Sequence, residues 1–202
     1  MSEHEFSPER LSVVIYPHPG LRYMAKSIKR VDSRLKETAD RMIELMYEHG
    51  GVGLAATQVN VPLRLFVWDP VGKREEGRPA VFINPTITRP RSNEEAEEGC
   101  LSLPGVHANV VRAKTIHMHA YDINGQEIDT DFVGFEARIL QHETDHLNGV
   151  LFIDRLSPEV FREHDRALET FITDFESRQR LGSVASPEVL SRQLAEWERL
   201  YT

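Results

Sequence analysis

At residues 141–147 the chain reads Gln-His-Glu-Thr-Asp-His-Leu, which contains the pattern His-Glu-x-x-His. Apolar residues around it recur near helical spacing, and Gly149 stands where a helix would end. On a helix, His142 and His146 share one face, so both rings can bind one divalent metal while Glu143 reaches a water molecule beside it. The stretch therefore predicts a hydrolytic metal site on a helix.

The two histidines need a further ligand, because a catalytic site of this type usually has three protein ligands. Glu159 and Glu163 lie at a plausible distance after the helix, as in one family of zinc peptidases. Cys100, the single cysteine, lies before the helix, and a thiolate with two imidazoles suits a borderline or soft divalent metal. His117 and His119 would share one strand face and are a second-choice metal site, although an exposed polar face is the simpler interpretation.

Length and charge narrow the classes of function. The chain has 202 residues, which fits one domain, and 32 acidic against 24 basic residues give a formal net charge of −8. This balance argues against direct nucleic-acid binding. The start, MSEHEFSPER, has no apolar segment typical of a signal or transit peptide, and no stretch is long enough to span a membrane. A single cysteine suits a reducing compartment, so we expect a cytoplasmic protein.

Periodicity and turn residues predict the other elements. Besides the motif helix, the predicted helices cover 33–49, 157–180 and 186–200. Predicted strands or extended segments cover 13–15, 62–68, 80–83, 150–153, and a hairpin from 116 to 133 that turns at Asn124-Gly125. Residues 89–98 are predicted to form a polar loop, whose acidic run 93–98 would be a solvated face.

Three segments together resemble the signature motifs of peptide deformylases, in the family's order. They are GVGLAATQ at 51–58, EGCLS at 98–102 and QHETDHL at 141–147. The resemblance spans about residues 13–157 and leaves the last 20 or so outside it. It implies an α+β fold with antiparallel β-sheets around a central helix that carries the His-Glu-x-x-His motif, and a C-terminal helix. We expect a single deformylase-like catalytic domain at 1–181 and a C-terminal helical extension at 182–202.

The resemblance also implies an activity: removal of the N-formyl group from N-formylmethionyl nascent polypeptides, with release of formate. One divalent metal would activate a water molecule as the nucleophile. Ferrous iron is expected, with Zn²⁺, Ni²⁺ or Co²⁺ as substitutes, and transient association with the ribosome is expected as well.

The site residues follow from the same resemblance, position by position. The metal ligands would be Cys100, His142 and His146. The catalytic residues would be Glu143 as general acid/base, with Gln58 and the backbone N–H of Leu101 as donors to the formyl oxygen. The substrate-binding residues would be Gly51, Val52, Gly53, Leu54, Gly99, Phe135 and Ile139.

Two positions differ from the commonest bacterial pattern. Arg138 lies one turn before His142, where many bacterial members have an aliphatic residue, and is predicted to make the pocket rim more polar. His107 stands where some members have arginine. Two other functions stay open at this point: a general metallopeptidase that uses Glu159 or Glu163, and a non-catalytic metal-binding or ribosome-associated relative.

Overall fold

A computed structural model describes residues 7–202 of the chain. The prediction that the chain starts without a targeting segment depends partly on residues 1–6, which lie outside the described part. The helices are α1 (Ser33–Glu48), α2 (Phe135–Leu147), α3 (Pro158–Glu163), α4 (Asp165–Arg180) and α5 (Pro187–Tyr201). The strands are β1 (Gly53–Ala55), β2 (Leu65–Trp68), β3 (Ala80–Cys100), β4 (Leu103–Tyr121) and β5 (Glu127–Val133). No helix within residues 7–202 combines the length and the apolar character needed to cross a membrane.

The five strands form one antiparallel sheet in the order β1-β2-β3-β4-β5. The motif helix α2 packs against β1, β2, β4 and β5, so the helix is central to the fold. The predicted α+β class, with an antiparallel sheet around this helix and a C-terminal helix, is confirmed. Because β1 pairs only with β2, it is an edge strand of this sheet.

One apolar cluster lies between α1 and the first two strands. The α1 helix begins at Ser33, where the Asp32 carboxylate accepts a hydrogen bond from the Leu35 N–H (3.0 Å) and so satisfies a free donor of the first turn. Its apolar stripe is buried, as the spacing predicts. Trp197 and Tyr201 of α5 enter the same cluster, so the C-terminal helix packs into the core of the chain.

A second cluster fixes the inner face of α2. The rings of Phe66 and Phe82 stack with centroids 4.9 Å apart, and Trp68 meets Phe82 edge to face. Ala137 and Leu140 of α2 are fully buried against this layer. Packing on this side holds the helix so that its motif residues face the first and third strands.

The prediction of a polar loop at 89–98 is wrong, because β3 continues to Cys100 and pairs with β4 along this length. The pairing shifts register between Ile83 and Thr86 and again between Thr88 and Arg91. Arg89 and Ser92 have positive φ angles at this irregular part. Most side chains of 88–95 are exposed on this ribbon, so the alternation that marks a half-buried strand is absent from the sequence.

Two other element predictions need correction. Residues 150–153 are not a strand, because Phe152–Arg155 forms a 3₁₀ turn that Asp154 closes by accepting from the Leu151 N–H (2.8 Å). The helix predicted at 157–180 is divided at His164 into α3 and α4. Residues 13–15 form no strand of the sheet, although the Val14 N–H donates to the Gln58 carbonyl (2.8 Å).

Candidate active site

The predicted metal-binding side chains converge at one end of the sheet. Cys100 ends β3, and His142 and His146 lie one turn apart on α2. The Sγ atom of Cys100 lies 3.3 Å from Nε2 of His146, which lies 3.2 Å from Nε2 of His142. All three potential ligand atoms are within 4.8 Å of one another. Cys100 is partly buried and both histidines lie deeper.

This donor set fits a divalent metal. A thiolate and two imidazole nitrogens are common ligands of zinc and related ions, and three protein ligands leave one position open. The Nδ1 atom of His142 is bonded to the Glu98 carboxylate (3.0 Å), which leaves Nε2 free to bind an ion. Among residues 7–202, Cys100, His142 and His146 are the His, Cys or acidic side chains that lie close enough together, three or more in one group, to bind one ion.

Glu98 is the buried anion behind His142. Its carboxylate accepts hydrogen bonds from Arg112 Nε (2.6 Å) and Nη2 (2.8 Å) and from Arg138 Nη1 (2.7 Å). Burial would raise the pKa of Glu98, but Arg112 and His142 hold this pKa far below its usual range. Burial likewise lowers the pKa of His142, but hydrogen bonds with Cys100 and Glu98 outweigh it and raise the pKa to about 10.

The same network extends to the far side of α2. Arg112 also donates to Asp145 (2.6 Å), whose carboxylate pairs with Arg155 as well. Arg112 is almost fully buried, and its three guanidinium nitrogens all donate hydrogen bonds to the carboxylates of Glu98 and Asp145. In contrast to His142, His146 has no partner for Nδ1 among the described residues, and burial lowers its pKa well below 6.5.

Glu143 lies between the two histidines on α2 and is only 4% exposed. Its Oε2 atom has no hydrogen-bond partner among the described residues, and burial raises the pKa of the carboxyl to about 7. The side chain lies against β1, where a Cβ atom added to Gly53 would be 2.4 Å from Glu143 Oε1. Gly53 therefore leaves the space that the carboxylate occupies.

Gln58 is held in one orientation beside the cysteine. Its Oε1 atom accepts from the Ala55 N–H (2.8 Å), and its Nε2 lies 3.2 Å from Ser102 Oγ and 3.5 Å from Cys100 Sγ. A backbone N–H can only donate, so the bond from Ala55 identifies the oxygen of the amide. The NH₂ group of Gln58 consequently faces the sulfur and the cleft.

A cleft of about 540 Å³ opens onto these groups. Its wall includes six of the seven predicted substrate-binding residues: Gly51, Val52, Gly53, Gly99, Phe135 and Ile139. Leu101 also lines it. The side chain of Leu54, the seventh of these residues, does not line the cleft, because successive strand residues point to opposite sides and Leu54 is fully buried in the core beneath Gly53. A role of Leu54 in substrate binding through its backbone stays a prediction.

The two atypical positions have different surroundings. Arg138 lies in the cleft wall, but it is only 6% exposed and donates to Glu98 and to the carbonyls of Val110 and Glu94. Its charge is thus directed inward rather than to the rim, contrary to prediction. His107 is exposed at the cleft, with its ring over Gly99.

The alternative ligands are not near the histidine pair. Glu159 and Glu163 are exposed on α3, and Glu159 pairs with Arg162 instead (3.7 Å). His117 and His119 bind carboxylates across the strand pair, with His117 between Asp129 and Asp131. These observations remove the sequence-based argument for a glutamate-liganded peptidase and for the second-choice metal site.

Sequence reasoning missed three members of this site. Glu98 was predicted as part of a solvated acidic run, yet it is buried and bonded to His142. Ser102 positions Gln58, and Arg112 links Glu98 to Asp145. A signal existed for Glu98 and Ser102, which begin and end the EGCLS segment, whereas Arg112 stands in a strand with no motif around it.

The sequence profile of polypeptide deformylases matches residues 10–162. The chain belongs to the polypeptide deformylase family. It is 50% identical over 192 residues to a peptide deformylase of Rhodopirellula baltica, a match that covers 95% of this chain and 96% of that protein. It is 40% identical over 185 residues to the chloroplastic peptide deformylase 1B of Oryza sativa subsp. japonica, covering 91% and 68% of the two chains.

Solved structures of deformylases agree with the fold. A crystal structure of a plant peptide deformylase has a TM-score of 0.80 at 38% identity and covers 88% of this chain and 96% of its own. The structure of a peptide deformylase from Legionella pneumophila has a TM-score of 0.75 at 39% identity, and the match covers 83% of this chain and 98% of that one. The family removes the N-formyl group from nascent peptides and depends on a metal, so the predicted family and reaction are confirmed.

Proposed function

We propose that this deformylase acts on peptides that begin with N-formylmethionine, with Cys100, His142 and His146 as metal ligands and Glu143 as general acid/base. The observation that carries the proposal is the convergence of the three ligand atoms within 4.8 Å beside a buried carboxylate. The reaction adds water across the formyl C–N bond. The products are formate and a peptide with a free amino terminus.

The metal is proposed to be ferrous iron, with Zn²⁺, Ni²⁺ or Co²⁺ as substitutes. Cys100, His142 and His146 would hold it, and the bond between Glu98 and His142 would keep that imidazole in the ligating orientation. When bound, such an ion acts as a Lewis acid that lowers the pKa of water and polarises a carbonyl group.

Glu143 is proposed to transfer the proton. Its carboxylate would accept a proton from the attacking water and then deliver it to the departing amine nitrogen, so that one group serves both halves of the reaction. The Oε2 atom without a partner supports this role, because no contact with the protein competes for it among the described residues. Gly53 supports it further by leaving room for the side chain.

Gln58 and the backbone N–H of Leu101 are proposed to stabilise negative charge on the formyl oxygen. The side-chain NH₂ of Gln58 faces Cys100, and the bond from Ala55 prevents the amide from rotating. A donor that is already oriented needs little reorganisation as charge develops, which is where such stabilisation is largest. Leu101 follows Cys100 directly and lines the same cleft.

The methionine side chain is proposed to enter the apolar part of the cleft. Val52, Phe135 and Ile139 supply apolar surface there, and Phe135 is 57% exposed, which is high for an aromatic residue without a ligand. The adjacent edge strand β1 could pair with the extended peptide through its backbone. Methionine suits such a pocket because it is flexible and apolar.

The cellular setting is also a proposal. A substrate that is a nascent polypeptide places the enzyme where translation occurs, so we propose that it works in the cytoplasm in transient association with ribosomes. The formal charge of −8 disfavours broad contact with RNA phosphates, which is why this association is expected to be brief.

The decisive experiment measures the free amino groups produced, together with formate release, from formyl-Met-Ala-Ser under anaerobic conditions with iron-loaded enzyme. The matched substrates are acetyl-Met-Ala-Ser and formyl-Asp-Ala-Ser. We expect rapid release from the first peptide, little cleavage of the acetylated one, and a much lower kcat/KM for the aspartate peptide, since a charge in an apolar pocket loses solvation. Equal rates on formyl-Met and formyl-Asp peptides would refute the pocket, and no formate would refute the function.

A further inference from the structure

A second cleft, of about 610 Å³, lies on the side of α2 that faces away from the catalytic cleft. Its walls come from the irregular part of β3, from β4, from the carboxyl end of α2 and from the loop before β2. The lining residues used in the argument are Arg64, Arg112, Asp145, Asn148 and Arg155. None of these five lines the catalytic cleft.

The charge of this cleft is opposite to that of the protein. Its lining holds three guanidinium groups and one carboxylate, whereas the whole chain has a formal net charge of −8. Arg112 forms ion pairs with Glu98 and Asp145. Asp145 is shared between Arg112 and Arg155, so its single negative charge only partly compensates Arg155, and Arg64 has no carboxylate partner among the described residues.

Arg64 is the least compensated cation of the cleft. It donates to Asn148 Oδ1 (2.9 Å) and to the Pro85 carbonyl (3.0 Å), both neutral acceptors, and forms no ion pair with a carboxylate of residues 7–202. A half-buried guanidinium without a counter-ion is costly, and burial lowers the pKa of Arg64 accordingly. An anion in the cleft would remove this cost.

Arg155 is the second arginine of this cleft with hydrogen-bonding capacity left over. Its Nε and Nη2 atoms bind Asp145, its Nη1 has no partner among the described residues, and its side chain is 42% exposed. Asp145 and Asn148, which anchor the two arginines, are three residues apart and so neighbours on the helix surface. Two guanidinium groups that line one cleft and are anchored at neighbouring positions can together bind one phosphate or carboxylate group.

We propose that the cleft bounded by Arg64 and Arg155 binds an oxyanion, the phosphate or carboxylate group of a small ligand. Behind the same wall, the buried hydroxyl of Thr144 has no hydrogen-bond partner among the described residues. The pairing of β3 with β4 shifts register within residues 83–91, beside this cleft, and such irregular pairing often accompanies a binding site.

The test is a titration of the metal-loaded enzyme with inorganic phosphate, pyrophosphate and citrate at constant ionic strength, followed by calorimetry and by amide NMR shifts. We expect saturable binding, with shifts at Asn148 and Arg155. Arg64→Gln and Arg155→Gln should each weaken it about tenfold or more, because a hydrogen bond to a charged group is lost. Arg180→Gln, an exposed arginine on α4, is the matched control and should leave affinity unchanged.

Stronger binding of pyrophosphate would indicate a phosphate ligand, and stronger binding of citrate a carboxylate ligand. Because Arg155 is the more exposed of the pair, Arg155→Gln tests the site even if Arg64→Gln is unstable. The proposal is overturned if no anion binds saturably up to about 10 mM, or if both arginine variants bind as tightly as wild type. It is equally overturned if affinity disappears in Cys100→Ser alone, since the anion would then be a ligand of the active-site metal.

Discussion

The Nδ1 atom of His142 lies 3.0 Å from Oε2 of Glu98, a buried carboxylate that two buried arginines also bind. The relationship joins three parts of the chain, because Glu98 comes from β3, Arg112 from β4, and His142 and Arg138 from α2. The orientation of a proposed metal ligand therefore depends on the pairing of the β3–β4 ribbon with the helix.

The first prediction concerns Glu98→Gln. The amide cannot neutralise Arg112 and Arg138, so we expect the free energy of unfolding to fall by about 3–5 kcal/mol. Metal affinity should fall about 10–100-fold, because His142 loses its charged partner. Urea unfolding and competition with a chelator measure the two effects. Glu95→Gln, an exposed position on the same strand, is the control and should change neither; unchanged metal affinity in Glu98→Gln would contradict the orienting role.

The second prediction separates the two sequence-based choices of third ligand. Cys100→Ser should lose or exchange the metal and most of the activity, whereas Glu159→Gln should be close to wild type, since Glu159 is exposed and pairs with Arg162. Metal content by elemental analysis and formate release give the answer. Full metal and full activity in Cys100→Ser would show that the sulfur is not a ligand.

The third prediction tests Glu143 as the acid/base. Glu143→Gln should retain stoichiometric metal and lower kcat by about 10²–10⁴-fold or more, because proton transfer is lost while the fold is kept. Glu136→Gln provides the matched control, as an exposed glutamate on the same helix. If the Glu143 variant released formate at a rate near that of wild type, the proposed role would have to be abandoned.

Much of the site was predictable because its members occur in short local patterns. His142, Glu143 and His146 form one helical motif, and helical spacing alone brings them to one face. Cys100 was one of the candidate third ligands on its chemistry, but only the resemblance selected it and identified Gln58, since nothing in the spacing of the chain indicates that the two residues meet the helix. The tertiary fold brings them there. Cys100 is the last residue of the 21-residue strand β3, and Gln58 lies in a 3₁₀ turn that follows β1.

The parts that could not be predicted depend on burial that the sequence does not reveal. Glu98 belongs to an acidic run whose other members are exposed, and only its pairing with two distant arginines makes its burial tolerable. Similarly, residues 88–95 of β3 are exposed on both faces, whereas the paired strand β4 alternates between buried and exposed positions. The period-two pattern of a half-buried strand is therefore missing from this part of β3.

The fourth prediction is a pH dependence of stability from the exposed strand pair of β4 and β5. His117 donates to Asp131 and Asp129, and these bonds raise the pKa of His117 above 6.5 in the folded protein. Because the pKa of His117 is higher in the folded than in the unfolded protein, protonation of this histidine stabilises the fold. This stabilisation is complete at a pH below the pKa of the unfolded state, and it is lost as the pH rises through the pKa of the folded state.

His117→Gln should therefore lower the unfolding temperature at about pH 5.5 and have a much smaller effect at about pH 9. Added salt should reduce the difference at the lower pH, because the pair is solvent-accessible. Thermal unfolding followed by circular dichroism at both pH values measures the change in unfolding temperature. An equal loss at the two pH values would mean that the imidazole acts by packing rather than by charge.

The last prediction concerns the C-terminal helix, which we propose to be an integral part of the folded chain. Trp197 of α5 is 4% exposed, its ring stacks on Tyr201 (5.7 Å), and the Arg34 guanidinium lies over the Trp197 ring, 5.8 Å from its centroid. Tyr201 donates to Asp32 (2.9 Å), the residue that caps α1. The end of the chain thereby contacts the beginning of the first helix.

Trp197→Ala should lower the free energy of unfolding by about 3–5 kcal/mol, as expected for a buried aromatic side chain that leaves a cavity. Tyr201→Phe removes only the hydrogen bond and should cost about 0.5–1.5 kcal/mol. The control is Arg192→Ala, an exposed position on the same helix, which should stay within about 0.5 kcal/mol of wild type. Urea unfolding followed by far-UV circular dichroism avoids dependence on tryptophan fluorescence. Because α5 contributes no residue to the wall of the catalytic cleft, formate release well below the unfolding temperature should be preserved in all three variants. If the free energy of unfolding of Trp197→Ala were instead lower than that of wild type by less than about 1 kcal/mol, the helix would be only loosely attached, since removal of a tryptophan side chain from a close-packed core costs more than that.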